Sequence, residues 1–205
     1  MSFTMKRGLR NIFVAEVTAD TEEAFTTGEP YKLIPAGEMS VTVDNEKTQY
    51  WFDNTVFAEV GREGGSEITI DGAGLRAAAI AKINNKVVDE TTGAVIDNGT
   101  FGEIKYFALG AEKLNIDGTS EMFWFMKGSF AIPEENAKTV GEDTDAAGTN
   151  LVYTAIPTIH KFAKTNDICK RVVIDTETTK VTAEGNWFAQ VVTPDNLATI
   201  VAAAV

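Results

Sequence analysis

Cysteine and histidine are almost absent from the 205-residue chain, with one of each, Cys169 and His160. A single cysteine excludes an internal disulfide framework and fits a reducing compartment. A single histidine excludes a histidine-based metal centre or a Ser-His-Asp triad. Cys169 has no second histidine to lower its thiol pKa, so it reads as a small apolar side chain entering a strand rather than a nucleophile. His160, in the strand-like pattern "TIHKF", reads as a surface or half-buried structural residue. Long apolar runs are missing too. The ending "LATIVAAAV" covers nine residues, well short of a membrane span. Lys6, Arg7 and Arg10 do not precede an apolar core long enough for a signal peptide, so no targeting segment and no membrane association are expected.

Basic residues are the minority. Eighteen Lys and Arg against 30 Asp and Glu leave a net charge of −12. Gripping nucleic acid needs clustered bases, so that class is disfavoured, whereas a surface past which DNA must slide is not.

What is present is alternation. Period-two patterns predict roughly nine strands in one domain spanning residues 1–205, an all-β protein. In "NIFVAEVT", Ile12, Val14 and Glu16 fall on one face and Phe13, Ala15 and Val17 on the other. Two strands, Met39 to Val43 and Thr48 to Phe52, are expected around a tight turn at 44–47, and "EITID" supplies another. "FGEIKYFALGAEKL" and "EMFWFMKGSFAI" pair around the turn at 115–118, and "LVYTAIPTIHKFAK", "KRVVIDT" and "NWFAQVVT" give three more strands. One short flanking helix is expected at about 74–85, where Leu75, Ala79 and Ile83 share a face. Residues 54–66 and the acidic stretch 133–150 read as loops, the latter long enough to be functional or disordered.

Three stretches imitate chemical motifs. The strand before Gly72-x-Gly74-x-x-Ala77, with Asp89 and Glu90 beyond, imitates a dinucleotide fingerprint. A dinucleotide sheet is parallel and buried on both faces, but this strand alternates and no further βα units follow, so the glycines read as a flexible turn and no cofactor is expected. "DETTGAVIDNG" and "GEDTDAAG" miss the spacing of a calcium loop and read as solvated turns. No catalytic constellation emerges, and the chain is not expected to be an enzyme. The aromatic triplets Tyr50-Trp51-Phe52 and Phe123-Trp124-Phe125 point to both faces of their strands. That suits either a sandwich whose outer face meets another subunit or a single core under an overhanging loop.

The order of pieces resembles the major tail tube proteins of long non-contractile bacteriophage tails, in the branch common among phages and prophages of Gram-positive bacteria. "KRGLRNIFVAEVT" is similar to that branch's opening strand. "PYKLIPAGEMSVTVDNEKTQYWFDN", then "GGSEITIDGAGL" into the helix, continue the likeness. "YFALGAEKLNIDGTSEMFWFMKGSFAIPEENAKT" is similar to the family's paired hairpin, and "IPTIHKFAK" and "NWFAQVVTPD" follow in order. The resemblance covers about nine-tenths of the chain. It departs at "NNKVVDETTGAVIDNG" after the helix and at the C-terminal extension, about 194–205.

The resemblance implies a β-sandwich, or barrel-like pair of antiparallel sheets, with one flanking helix. It implies hexameric rings whose inner sheets join around a channel, stacked into the tube of a virion through a long loop and the chain termini. DNA passes through without specific binding, and a tape measure protein and the tail terminator and distal tail proteins are the implied partners. On this reading the candidate lumen-facing acids are Glu38, Asp44, Glu46, Asp53, Glu59, Glu63, Glu67 and Asp71, set against only Lys47 and Arg62 in that span. The candidate inter-ring contacts are Glu134, Glu135, Lys138, Glu142, Asp143 and Asp145, together with the N-terminal arm of about residues 1–9. The alternatives are a monomeric ligand- or carbohydrate-binding β-sandwich and a tube protein of a contractile tail or secretion device.

Overall fold

The computed structural model describes residues 3–97, 99, 103–134, 148–177 and 184–202. The fold is all-β and antiparallel. One sheet holds nine strands: β1 (Lys6–Asp20), β2 (Phe25–Thr27), β3 (Tyr31–Lys32), β4 (Ala36–Phe52), β5 (Thr55–Gly72), β8 (Phe107–Asn115), β9 (Ser120–Phe130), β10 (Thr149–Ile156) and β11 (Arg171–Asp175). Its main path runs β2-β1-β8-β9-β10-β5-β4, with β3 attached to β1 and β11 to β9. Two short strands, β6 (Val87–Val88) and β7 (Val95–Ile96), form a separate pair. The predicted pair of sheets is thus one sheet that curls on itself and forks.

The curl follows from the residue pattern. Ile12 and Val14 of β1, Leu109 of β8, Phe123 and Phe125 of β9, Tyr153 of β10 and Ile68 and Ile70 of β5 meet in one interior core. The other faces of β1, β8 and β9 are apolar as well. Ala15, Ala108, Met122, Trp124 and Met126 are covered there by Phe162, Val172, Ile174, Trp187, Phe188, Val192 and Ile200 from the C-terminal third of the chain. Gly110 allows this layer to form, since a Cβ there would sit 2.8 Å from the Trp124 ring. The ring's Nε1–H donates to the Trp187 carbonyl at 3.0 Å.

The fork lies in β9. Between its pairings with Phe107 and Leu109 of β8, β9 advances three residues to the partner's two, so a bulge falls near Met126. Before it, residues 121–125 pair with β11; after it, residues 127–130 pair with β10. The bulge also turns Phe130 back toward the interior core. A second irregularity, in β1, places Asn11 at φ 57, where its side chain and that of Arg10 both donate to the buried Glu112 carboxylate at 2.8 Å.

The expected hairpin around residues 115–118 and the helix are observed, the helix α1 running Ala77–Ile83. Other expectations need correction. There is no turn at 44–47 and no loop at 54–66: β4 runs unbroken to Phe52 and β5 begins at Thr55. The turn is Asp53-Asn54, both left-handed (φ 49 and 61), the geometry of a two-residue hairpin loop. Asp44 to Lys47 had looked like turn chemistry because the ribbon is solvated on both faces, leaving no apolar alternation to mark it as strand. "NWFAQVVT" is not a strand either. Asn186 and Trp187 close a helical turn, α2 (Glu184–Trp187), and α3 (Leu197–Ala202) follows. "PTIHKFAK" leaves β10 as a loop, with one bridge between Phe162 and Asp167.

Candidate functional site

The covering C-terminal layer lies on β1, β8 and β9, and among the described residues nothing covers the outer face of β10, β5 and β4. In the paired part of that sheet, Ile68, Ile70, Leu151, Tyr153, Met39 and Val41 point to the interior core. Their neighbours point outward: Glu38, Ser40 and Thr42 on β4, Glu67, Thr69 and Asp71 on β5, and Asn150, Val152 and Thr154 on β10. This face carries three acids, hydroxyls and an amide, and no base. Glu38 stands directly opposite Asp71, and Thr42 opposite Glu67. Asn150 Nδ2 donates to Asp71 Oδ1 at 2.6 Å.

Beyond this face the β4–β5 hairpin leaves the body. β10 pairs with β5 only as far as Ser66, so residues 44–65 form a two-stranded arm. At ~3.3 Å per residue, the nine residues from Asp44 to Phe52 extend roughly 30 Å. Opposite strands satisfy each other's charge: Glu46 faces Arg62, and Glu59 accepts from Lys47 at 3.0 Å and Gln49 at 3.2 Å. At the end, Tyr50, Trp51, Phe52, Val56 and Phe57 are exposed, Trp51 at 60% and Phe57 at 76%, with Phe52 and Phe57 in edge contact at 5.3 Å. Side chains of this size left in water on both faces of a ribbon form a surface that another molecule can cover. Among the described residues β4 also pairs only with β5; part of it lies close to β1 without pairing, and the remainder is a free edge, the standard template for pairing with another chain.

The eight acids proposed to share one surface are divided. Glu38, Glu67 and Asp71 lie together on the bare face, and by strand alternation Asp44 and Glu46 continue it onto the arm. Glu59 and Glu63 lie on the opposite side, paired with Lys47 and Lys170, and Asp53 is in the turn. Of the candidate inter-ring residues, Glu134 is exposed at the end of the segment after β9. Glu135, Lys138, Glu142, Asp143 and Asp145 lie outside the described residues.

Gly72, Cys169 and His160 all have structural settings. Gly72 ends an antiparallel strand, and a Cβ on it would meet the Pro35 carbonyl at 2.7 Å, so packing accounts for the glycine. Cys169 lies in the loop before β11, where burial pushes its thiol pKa up. His160 is also in a loop: its N–H donates to Asp20 Oδ1 at 3.0 Å, its Nδ1 lies 3.2 Å from the Glu22 carbonyl, and its ring meets Phe162 edge-on. Asp20, at the end of β1, also accepts from the Ile159 N–H and pairs at 2.7 Å with Lys127, both side chains almost fully buried. Burial alone would raise the Asp20 pKa; the Lys127 ammonium and the two N–H donors outweigh it and hold the carboxyl below its usual range. Among the described residues no cluster of His, Cys, Asp and Glu could hold a metal ion, and no helix is long and apolar enough to cross a membrane.

Sequence reasoning noted the arm's aromatics but did not place them at a tip. The signal available was Asp53-Asn54 directly after "YWF", a two-residue turn pair that competes with the one at 44–47. A scan against models of known protein families matches none, and a search of curated proteins finds no significant match.

Proposed function

We propose that the chain is the building block of a self-assembling hollow tube, the major tail tube subunit of a long-tailed phage or prophage. The observation that carries this reading is the division of the sheet. One half is covered on both faces by the chain itself, and the other presents a bare acidic face, a free strand edge and an apolar-tipped arm. A monomer gains nothing from the last two; a subunit uses them as contacts. In a ring, free edges pair between neighbours and cease to be an aggregation hazard. The arm then reaches a subunit of the next ring. Glu38, Glu67 and Asp71, repeated around six copies, line the channel with negative charge, so that the DNA backbone is repelled and slides. The tape measure, terminator and distal tail proteins are partners on this reading, and the site of action is the virion.

The test is negative-stain electron microscopy with light scattering on the same concentrated sample. Rings or hollow filaments of uniform width are expected, and they should disappear in a Trp51→Ala/Phe57→Ala variant whose circular dichroism matches the parent. Strict monomers across the full concentration range, or tubes indifferent to that double substitution, would overturn the proposal.

A further inference from the structure

The arm joins the body at an unusual place. Between the pairings Val43–Ser66 and Asn45–Glu63, β5 advances three residues while β4 advances two, and the residues between Glu63 and Ser66 are Gly64 and Gly65. Both fill tight positions. A Cβ on Gly64 would meet the Asp44 carboxylate at 2.8 Å, and one on Gly65 would meet the Ala155 carbonyl at 3.2 Å. The bulge coincides with the end of β10's pairing, so the sheet narrows there to two strands. Two glycines without side-chain restraint, in a bulge, at the point where a sheet becomes a ribbon, are the features of a hinge.

A cleft opens beside the hinge, between β5 and the fork strand β11, lined by Val43, Ser66, Phe125, Ile168 and Cys169. The Ser66 hydroxyl is buried there with no hydrogen-bond partner among the described residues. Lys170, directly before β11, spans the cleft. Its ammonium donates to Glu63 Oε1 and, at 3.3 Å, to the Gly64 carbonyl, so it holds the hinge through both a side chain and the backbone. Its own side chain is only 16% exposed, whereas Glu63 is 61% exposed. The cation is thus fixed to the body and the carboxylate belongs to the moving part. On the body, Arg171, whose guanidinium lies over the Phe123 and Phe125 rings, adds a weaker favourable charge interaction with Glu63.

We infer that Gly64-Gly65 is a hinge and Lys170 a latch that sets the direction of the arm relative to the body of the sheet. The latch holds the arm of a free subunit in one orientation. Its release lets the whole ribbon swing without disturbing either core, because neither core includes a residue from 44–65. The inference concerns the isolated chain and does not depend on what the arm touches in an assembly.

The experiment is a distance measurement between spin labels on Thr48→Cys in the arm and Thr154→Cys on the body, in a Cys169→Ser background. All variants are kept monomeric by Trp51→Ala/Phe57→Ala. The parent should give one narrow distribution. Lys170→Met, which keeps an unbranched stem one atom shorter and removes the donors, should broaden that distribution at least twofold. Lys170→Arg should restore it. A distribution equally narrow in Lys170→Met, or already broad in the parent, would overturn the latch. Thermal unfolding read alongside should be the same in all three, which separates release of the arm from damage to the body.

Discussion

Two hairpins of this chain carry a run of three aromatics, and they use it in opposite ways. In the β8–β9 hairpin, Phe123 and Phe125 enter the interior core and Trp124 enters the outer layer, and all three are essentially inaccessible. In the β4–β5 hairpin, Tyr50, Trp51 and Phe52 are half or more exposed at the end of a ribbon. The local sequences predict the same thing, a strand that needs cover on both faces. The difference is where the cover comes from. β9 lies mid-sheet with the C-terminal third of the chain folded over it, while the arm has run past the last strand that could shelter it. The teaching is that apolar content on both faces of a strand states a need, and only topology says whether the chain meets that need alone.

The comparison breaks most directly by truncating the central residue of each run. Trp124→Ala removes a fully buried indole and orphans the Trp187 carbonyl, and should cost roughly 3–5 kcal/mol in urea unfolding. Trp51→Ala removes an indole already in water, and the monomer's stability should change by less than about 0.5 kcal/mol. Assembly should respond in the reverse order, with Trp51→Ala losing it while still folded. Similar losses of stability in both variants would mean that the arm packs on its own body, and the contrast would fail.

The covered half can be probed electrostatically as well. Asp20 and Lys127 form a nearly buried ion pair that ties the loop at Ile159 and His160 to the end of β1. Asp20→Asn leaves the Lys127 ammonium without its counter-charge and should cost roughly 3 kcal/mol near neutral pH. The sign of the pH effect follows from the lowered Asp20 pKa. Its contribution is complete above the unfolded-state value, about 4, and disappears as pH falls through the lower folded value. Urea midpoints of parent and variant should therefore converge as pH drops below about 4. A gap that stays constant into acid would show that Asp20 acts by shape rather than charge. Among the described residues the acids of the bare face, Glu38, Glu67 and Asp71, make no such ion pair and meet solvent.

How much of this was readable beforehand follows the same division. Where a strand is half-buried, as in β10 and the body end of β5, alternation showed it, and the hairpin at residues 115–118 was located correctly. The arm was misread as a turn at 44–47, one short strand from Thr48 to Phe52 and a loop at 54–66. Its residues Asp44 to Lys47 and Gly61 to Gly65 are polar or small on both faces, so periodicity had nothing to register, and its regularity comes from backbone pairing across the ribbon. "NWFAQVVT" failed for the opposite reason: its large apolar residues come in adjacent pairs, Trp187-Phe188 and Val191-Val192, and serve as a cap over Trp124 and Phe13 rather than as a strand. The acidic surface was legible as composition and not as geometry. Eight acids within 34 residues were countable, but a bulge and the strand alternation decide that Glu38, Glu67 and Asp71 share a face while Glu59 and Glu63 do not. The Asp20–Lys127 and Glu63–Lys170 contacts each span more than 100 residues and leave no local signal.

The smallest expected effect concerns why the bare face is acidic at all. Glu38 and Asp71 stand directly across from one another, and like charges in that relation destabilise a sheet. Glu38→Gln removes the repulsion while keeping length and hydrogen-bonding capacity, so the monomer should gain a few tenths of a kcal/mol. The parent should gain more than the variant from added salt, since screening relieves only the parent's repulsion. A measured gain means that the chain carries this pair at a cost to its own stability, and a cost borne by a surface that covers no core points to a use outside the monomer. In the tube reading, that use is repulsion of the DNA backbone, and Glu38→Gln, Glu67→Gln and Asp71→Asn together should leave assembly intact while slowing passage of DNA. No gain, with identical salt dependence, would mean that solvent already relieves the pair. The acids would then cost the monomer nothing, and the channel argument would rest on geometry alone.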